Sequence, residues 1–454
     1  MVIADHALRA SAPSRGGADA DVSRGRGAAT LRGYAMRVPL VDGHAHAPYR
    51  DAPDARRFAQ AMFLIDLPRP GDAGRDGGAG IGDADAGGAD ADDAALGRLL
   101  AGRLGCELTR RFGAALGMAD AGGAGGPRRY WRARAASRDL RGFETALLRG
   151  CGVSAWVLDT GAAADLMASP REFAARVSAS GSNGDGGFAM APGTPGDSPA
   201  SGNPVRVVRV VRVESVAERV LRELGDAADA FPGRFRAALD AELAEPDAVG
   251  CKSVAAYRTG FAIDWSRPSD ERVVAAVRGL DAAGRGRIAD PTVESFIVNE
   301  ALERGLPVQF HVGFGDGEAR IRESDPTALE PLATVGAPLV LLHCAPYERQ
   351  AAWMCATHGN VYMDLSLASM HAGVAGTRAL LERVLQWCPF DRLTYASDGF
   401  GVAETHALGA LVWREAFGAL AADWAADGLW DVPYARRVVD AVAHGNAERL
   451  YGLG

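Results

Sequence analysis

Eight short, β-rich apolar runs recur along the chain, and helical periodicity fills the intervals between several of them. The runs are Val38–Val41, Ser154–Asp159, Val205–Val213, Val249–Val254, Pro307–His311, Pro338–His343, Asn360–Leu365 and Leu393–Ser397. Most are nearly continuous in apolar residues rather than alternating, the pattern of strands covered on both faces. The clear helical stretches are Ser215–Leu224, Thr292–Glu303 (stopped by Gly305), Arg378–Gln386 and Glu404–Leu420. Such alternation predicts an α/β fold, a parallel (β/α)8 barrel of the TIM type. An open, doubly wound sheet is disfavoured because no GxGxxG motif follows an early run. The long interval after the first run, about Pro53–Arg149, predicts a mostly helical insertion (55–149) capping the barrel mouth.

The 454 residues fit one large domain carrying insertions. Residues 1–37, rich in Ala, Gly, Ser, Arg and Asp, read as a disordered leader, leaving 38–454 as the barrel domain. Low-complexity stretches at Gly71–Asp93, Ala119–Gly126 and Ser178–Asn203 read as loops within that domain. A net charge of −8 without a basic face argues against a nucleic-acid partner. No apolar run approaches the roughly 18 residues of a membrane span, and no apolar segment follows the N-terminal arginines as a secretory signal requires. The six cysteines show no CxxC spacing and read as reduced thiols. The chain is therefore expected in the cytoplasm, acting on a small molecule; a homo-oligomer is compatible with it.

In a barrel enzyme, catalytic groups stand at the C-terminal ends of strands. Ligand-type residues gather there. Val-Asp-Gly-His44-Ala-His46 follows the first run, and two histidines at i and i+2 of an extended chain share a face. Lys252 ends the fourth run, His311 the fifth and His343 the sixth, while Asp398 follows the eighth. Singly, each reads as a polar group terminating a strand. Jointly they are harder to dismiss, because four of the nine histidines fall at such ends. Lys252 is also the one lysine among 49 basic residues. In a chain that otherwise uses arginine, it marks a place needing an amine, with chance survival as the alternative.

Taken in order, these residues resemble the amidohydrolase superfamily. The wording around them resembles its amidohydrolase-related branch, which includes the amidohydrolase domain of some glutamine-synthetase-like fusion proteins. The matching phrases are Val-Asp-Gly-His44-Ala-His46, Cys-Lys252-Ser-Val-Ala-Ala-Tyr257-Arg258-Thr-Gly, Gln-Phe-His311-Val-Gly-Phe-Gly-Asp316, Leu-Leu-His343-Cys, Tyr-Ala-Ser-Asp398-Gly and the terminal Asn446-Ala-Glu-Arg-Leu-Tyr-Gly. The resemblance implies one or two divalent metal ions, zinc or another first-row cation. His44, His46, His311 and Asp398 would be ligands to the catalytic ion. His343 would hold a second metal or polarise a carbonyl, and Lys252 would bridge two cations as a carbamate. Asp398 would also be the general base, so that Asp398, His343 and Lys252 form the catalytic set.

Around that set, Tyr257 and Arg258 are expected at the barrel mouth as substrate-binding residues. Arg258 would clamp a carboxylate or sit in a loop ion pair. Glu214 would line the pocket or, with Ser215 and Glu218, cap the following helix. Asp316 and Asp364 could orient ligands. His6, His358, His371, His406 and His444 read as solvated or structural, and Trp413, Trp424 and Trp430 as packing. The implied reaction is hydrolysis of a C–N bond in a small amide, cyclic amide or γ-glutamyl-type compound bearing a carboxylate. The alternative is metal-dependent, non-oxidative decarboxylation of a small or aromatic acid. A non-catalytic scaffold has no use for the full ligand set.

Overall fold

The computed structural model describes residue 27 and residues 29–64, 89–118, 126–178, 205–225, 227–280 and 286–454. In it the apolar runs pair into one seven-stranded sheet, ordered β1 to β7 exactly as in the chain and parallel throughout. The strands are β1 Leu40–Ala45, β2 Val153–Asp159, β3 Arg206–Arg212, β4 Ala248–Ser253, β5 Val308–His311, β6 Leu339–Leu342 and β7 Val361–Met363. Because each strand pairs with the next in sequence, every crossover steps the same way round and the sheet curls. Strands β1, β5 and β6 are buried at every position, as expected of a sheet covered by helices on one face and filled by side chains on the other.

The eighth run departs from its expected form. Leu393–Ser397 closes the gap between β7 and β1, but through scattered backbone bonds. Thr394 N donates to Met363 O and Gly43 N donates to Tyr395 O, each at 3.0 Å. Ser397 N is taken by the Asp42 carboxylate at 2.9 Å instead of a neighbouring strand. Asp398 then turns the chain with φ at 54°. The run fills the eighth place without a regular ladder. Conversely, β1 runs on past Val41 to Ala45, so that His44 lies inside the strand.

Helix boundaries follow local chemistry. The helix Pro291–Glu303 starts with proline at its first position and with the Asp290 carboxylate accepting from Thr292 N and Val293 N; just beyond its end, Gly305 takes φ 70°. The helix Ala403–Ala426 runs further than the expected Glu404–Leu420 and is buried along most of its length. Among the described residues, five α-helices lie between β1 and β2: Ala55–Phe63, Ala89–Leu100, Arg103–Phe112, Gly126–Ala135 and Leu140–Gly150. Buried ion pairs tie them to the long C-terminal helix. Arg134 Nε meets Glu404 at 2.6 Å, and Arg111 meets Glu415 at 2.7 Å.

The leader reading needs correction at its end. Residues 29–35 are helical, and Leu31 and Ala35 are fully buried. Arg414 secures this turn by donating to Ala35 O at 3.0 Å and Val38 O at 2.6 Å. Two apolar side chains one helical turn apart are too faint a signal beside so much Ala and Gly. Residues 1–26 lie outside the described residues, as do 71–88, 119–125 and 179–203 of the low-complexity stretches. Among the described residues, no helix is long and apolar enough to cross a membrane.

Candidate metal centre

The C-terminal ends of the strands open into one cavity of about 340 Å³. His44, His46, Lys252, His311, His343 and Asp398 all line it, together with Tyr257 and Arg258. The innermost group is His44, His46 and Asp398, whose ligand atoms lie within 4.8 Å of one another. Asp398 Oδ1 stands 3.2 Å from His44 Nε2 and 3.5 Å from His46 Nε2.

The far side of each imidazole decides what these contacts can be. Gln309 Nε2 donates to Gly43 O at 2.8 Å, and since a carbonyl only accepts, the amide orientation is fixed. Its Oε1 must then accept from His44 Nδ1, 2.8 Å away. His46 Nδ1 faces Asp159 O at 3.0 Å and must likewise donate. His343 Nδ1 meets Ser366 Oγ at 2.7 Å, and that hydroxyl gives its single proton to Asp364 Oδ1 at 2.6 Å. All three histidines thus carry the proton on Nδ1 and leave Nε2 as a bare lone pair, which His44 and His46 turn toward Asp398.

A second proton is opposed on His44 and His343, and on His311 beside them. Burial is the largest influence on His44, His311 and His343 and lowers all three, His343 to about 3. Burial pushes Asp398 upward, yet beside His343, His44 and His46 its carboxyl is held well below the usual carboxylate range. Two imidazole lone pairs and a carboxylate therefore converge with no neutral-ring proton to share between them. That donor set fits a divalent cation.

His311 and His343 stand outside the tight group but face the same space; His311 Nε2 is buried with no hydrogen-bond partner, and the two rings lie 4.5 Å apart. Lys252 Nζ is also buried without a partner. Its pKa falls to about 8, because burial outweighs the raising effect of the Asp159 charge. An amine in that condition is neutral far more often than an exposed lysine. The backbone is strained where it presents these groups: His343, Cys344, Leu367 and Asp398 all have φ between 54° and 68°. Each such non-glycine residue stores about 1–3 kcal/mol, the kind of strain that collects at working sites.

The remaining expectations divide. Tyr257 packs its ring 4.6 Å from that of His311, and burial keeps its phenol protonated. Arg258 lines the cavity with Nη2 3.1 Å from Glu218, while its buried Nε has no partner. Asp364 orients His343, accepting also from its backbone N at 2.8 Å. Asp316 lines the cavity in the loop after β5. Glu214 neither lines the cavity nor caps a helix. Its helix begins at Val213, placing Ser215 inside the first turn, and the buried Glu214 carboxylate accepts from Ser253 Oγ and Val254 N at 2.7 Å each. It braces the end of β4 from behind. His406 is buried rather than solvated, packed 5.2 Å from Trp156.

Sequence reasoning passed over Gln309, Ser366, Asp159 and Arg212. Gln309 precedes His311 by two residues and so shares its face of β5, a signal that was there to use. Asp159 and Arg212 end β2 and β3, the very place where charged residues mean most.

A curled parallel sheet with this cluster at the C-terminal ends of its strands defines a metal-dependent, amidohydrolase-type hydrolase. The chain belongs to the amidohydrolase family, whose model matches residues 41–453. Protein FluG of Emericella nidulans is 27% identical over 241 residues, which make up 50% of this chain and 28% of that protein. The chain thus corresponds to well under half the length of that relative. Among solved structures, a candidate metal-dependent hydrolase from Lactobacillus casei matches with a TM-score of 0.67 and 20% identity, covering 93% of this chain and 97% of that one. Uronate isomerase from Thermotoga maritima has the same fold at a TM-score of 0.59 and 13% identity, covering 94% and 97%.

Proposed function

We propose that this enzyme hydrolyses a C–N bond, of an amide or cyclic amide, in a small substrate bearing a carboxylate. The observation that carries the reading is the convergence of His44 Nε2, His46 Nε2 and Asp398 without a proton to join them. A divalent cation, zinc or a first-row relative, would supply an acidified water and positive charge for the scissile carbonyl oxygen. Asp398, its carboxylate held ionised, takes the water's proton and passes it to the leaving nitrogen. Because its Nδ1–H is committed to Ser366, His343 acts through its Nε2 lone pair. This supports a ligand role and not polarisation of the carbonyl through a donated proton. With His311 and the partnerless Lys252 amine, which would serve as a carbamate, it would hold a second cation. Arg258, which lines the cavity, adds positive charge that favours a substrate carboxylate.

Residues 55–149 serve as a cap over this mouth. Gln60, Ala61 and Leu64 line the cavity, and the Arg134–Glu404 pair anchors the segment. The test is a panel of N-acyl amino acids, γ-glutamyl amides and cyclic amides, followed by amine release, with CO2 release from aromatic acids measured in parallel. Amine release that disappears in Asp398→Asn supports hydrolysis. CO2 release with no amide cleaved would replace it by decarboxylation.

A further inference from the structure

Arg212 ends β3 directly beside Lys252, its cross-strand partner in β4. Two cations side by side at a barrel mouth repel each other, so their placement calls for an explanation. Arg212 Nε and Nη2 both reach Asp159 Oδ2, at 3.2 and 2.5 Å, and no partner among the described residues takes its Nη1. Asp159 is fully dedicated to this task, since its other carboxylate oxygen accepts from Gly161 N at 2.8 Å and its backbone carbonyl orients His46. Gly161 leaves the space in which the arginine lies; a Cβ there would come within 2.6 Å of Arg212 Cβ and Cδ. The guanidinium is thus gripped along one edge and laid along the cavity wall with the other edge unclaimed.

The cavity is lined by three arginines (Arg212, Arg258, Arg287), by Lys252 and by four carboxylates (Asp159, Asp316, Glu318, Asp398). The arginines offset most of the carboxylate charge, and a bound divalent cation would leave the site positive, so the loaded site favours an anion. A planar fork with a free edge matches a carboxylate.

We propose that Arg212, held by Asp159 and given room by Gly161, is the specificity-determining residue that binds a substrate carboxylate. This rests on the hydrolase reading for the presence of a small substrate, but it is testable by binding alone. β2 and β3 then form one device: Asp159 aims a metal ligand with its backbone and the carboxylate reader with its side chain.

The experiment is calorimetric titration of the metal-loaded full chain with glutarate and with its uncharged analogue glutaramide. Wild type is expected to bind glutarate at least about tenfold more tightly than glutaramide. Arg212→Gln should lose about 10- to 100-fold in glutarate affinity, the range of a charge-assisted hydrogen-bond pair, with glutaramide binding unchanged. Arg212→Lys, which keeps a cation for Asp159 but not the fork, should fall in between. Metal content is measured on each variant. If Arg212→Gln has lost its metal, Arg212→Lys decides, and wild-type glutarate affinity in that variant overturns the proposal. Equal affinity for both probes in wild type also overturns it. Glutarate selectivity that depends on Arg212, in a protein that cleaves no amide, would refute the hydrolase reading and leave this one standing.

Discussion

Replacing Gln309 by leucine tests whether the histidine tautomers are imposed by the fold. Gln309 is fully buried, touches no substrate space, and holds three groups at once: His44 Nδ1, Gly43 O and Tyr451 Oη, all at 2.8 Å. Leucine fills nearly the same volume, so the change removes hydrogen bonds rather than packing. It orphans the His44 N–H and the Gly43 carbonyl inside the barrel, each at about 1–3 kcal/mol. A loss of about 2–5 kcal/mol in unfolding free energy follows. The second effect is specific to the site. Without an acceptor at Nδ1, His44 no longer has its proton confined to the far nitrogen, and metal affinity should fall about 10- to 100-fold. The assays are urea unfolding of the metal-free protein and competition with a chelator of known affinity. If Gln309→Leu is destabilised but binds metal within twofold of wild type, the tautomer argument fails.

Three further outcomes follow from the same geometry. Lys252→Arg should lose most activity and, where two cations bind, one metal equivalent, since a guanidinium cannot form a carbamate; unchanged turnover and metal content would make the single lysine an accident of composition. Gly315→Ala should abolish turnover, because its methyl would come 2.9 Å from His311 Nε2 and 2.0 Å from Tyr257 Oη, and full activity would contradict the close approach of that loop. Burial, then the charge of Glu214, holds the buried Glu294 carboxyl well above its ordinary value of 4.5. The native state therefore keeps this proton where the unfolded chain has lost it. The resulting stability is present below pH 4.5 and drains away as pH rises toward the raised folded value. Glu294→Gln cannot ionise, so its melting temperature relative to wild type should rise as pH climbs above 4.5; a constant offset would refute this.

The sequence exposed those parts of the fold whose physics is local. Apolar runs located the seven strands, and ligand-type residues stood out because a barrel displays strand ends together. His44, His46 and Asp398 could be grouped on that ground before any coordinates. The end of β1 was hidden by its own chemistry, since Asp42, Gly43 and His44 are polar or flexible yet lie fully inside the sheet. The eighth run looked like any other strand; what unmakes it is a bond from Ser397 to Asp42, 355 residues away. Gln309 was missed for a similar reason, because its partner His44 is 265 residues distant. Glu214 was misread since a capping pattern is local, whereas its true partners sit on the neighbouring strand.

Metal content per chain, measured by elemental analysis on protein purified without chelators, bears most directly on the central claim. One or two equivalents of a divalent first-row ion are expected in wild type, with two pointing to a bridge through Lys252. His44→Ala and Asp398→Ala should each lose the ion while keeping the wild-type circular dichroism spectrum, because both residues line the cavity and neither belongs to the apolar core. A well-folded wild-type chain that carries no metal, and takes up none when zinc, manganese or iron(II) is supplied, would contradict the account.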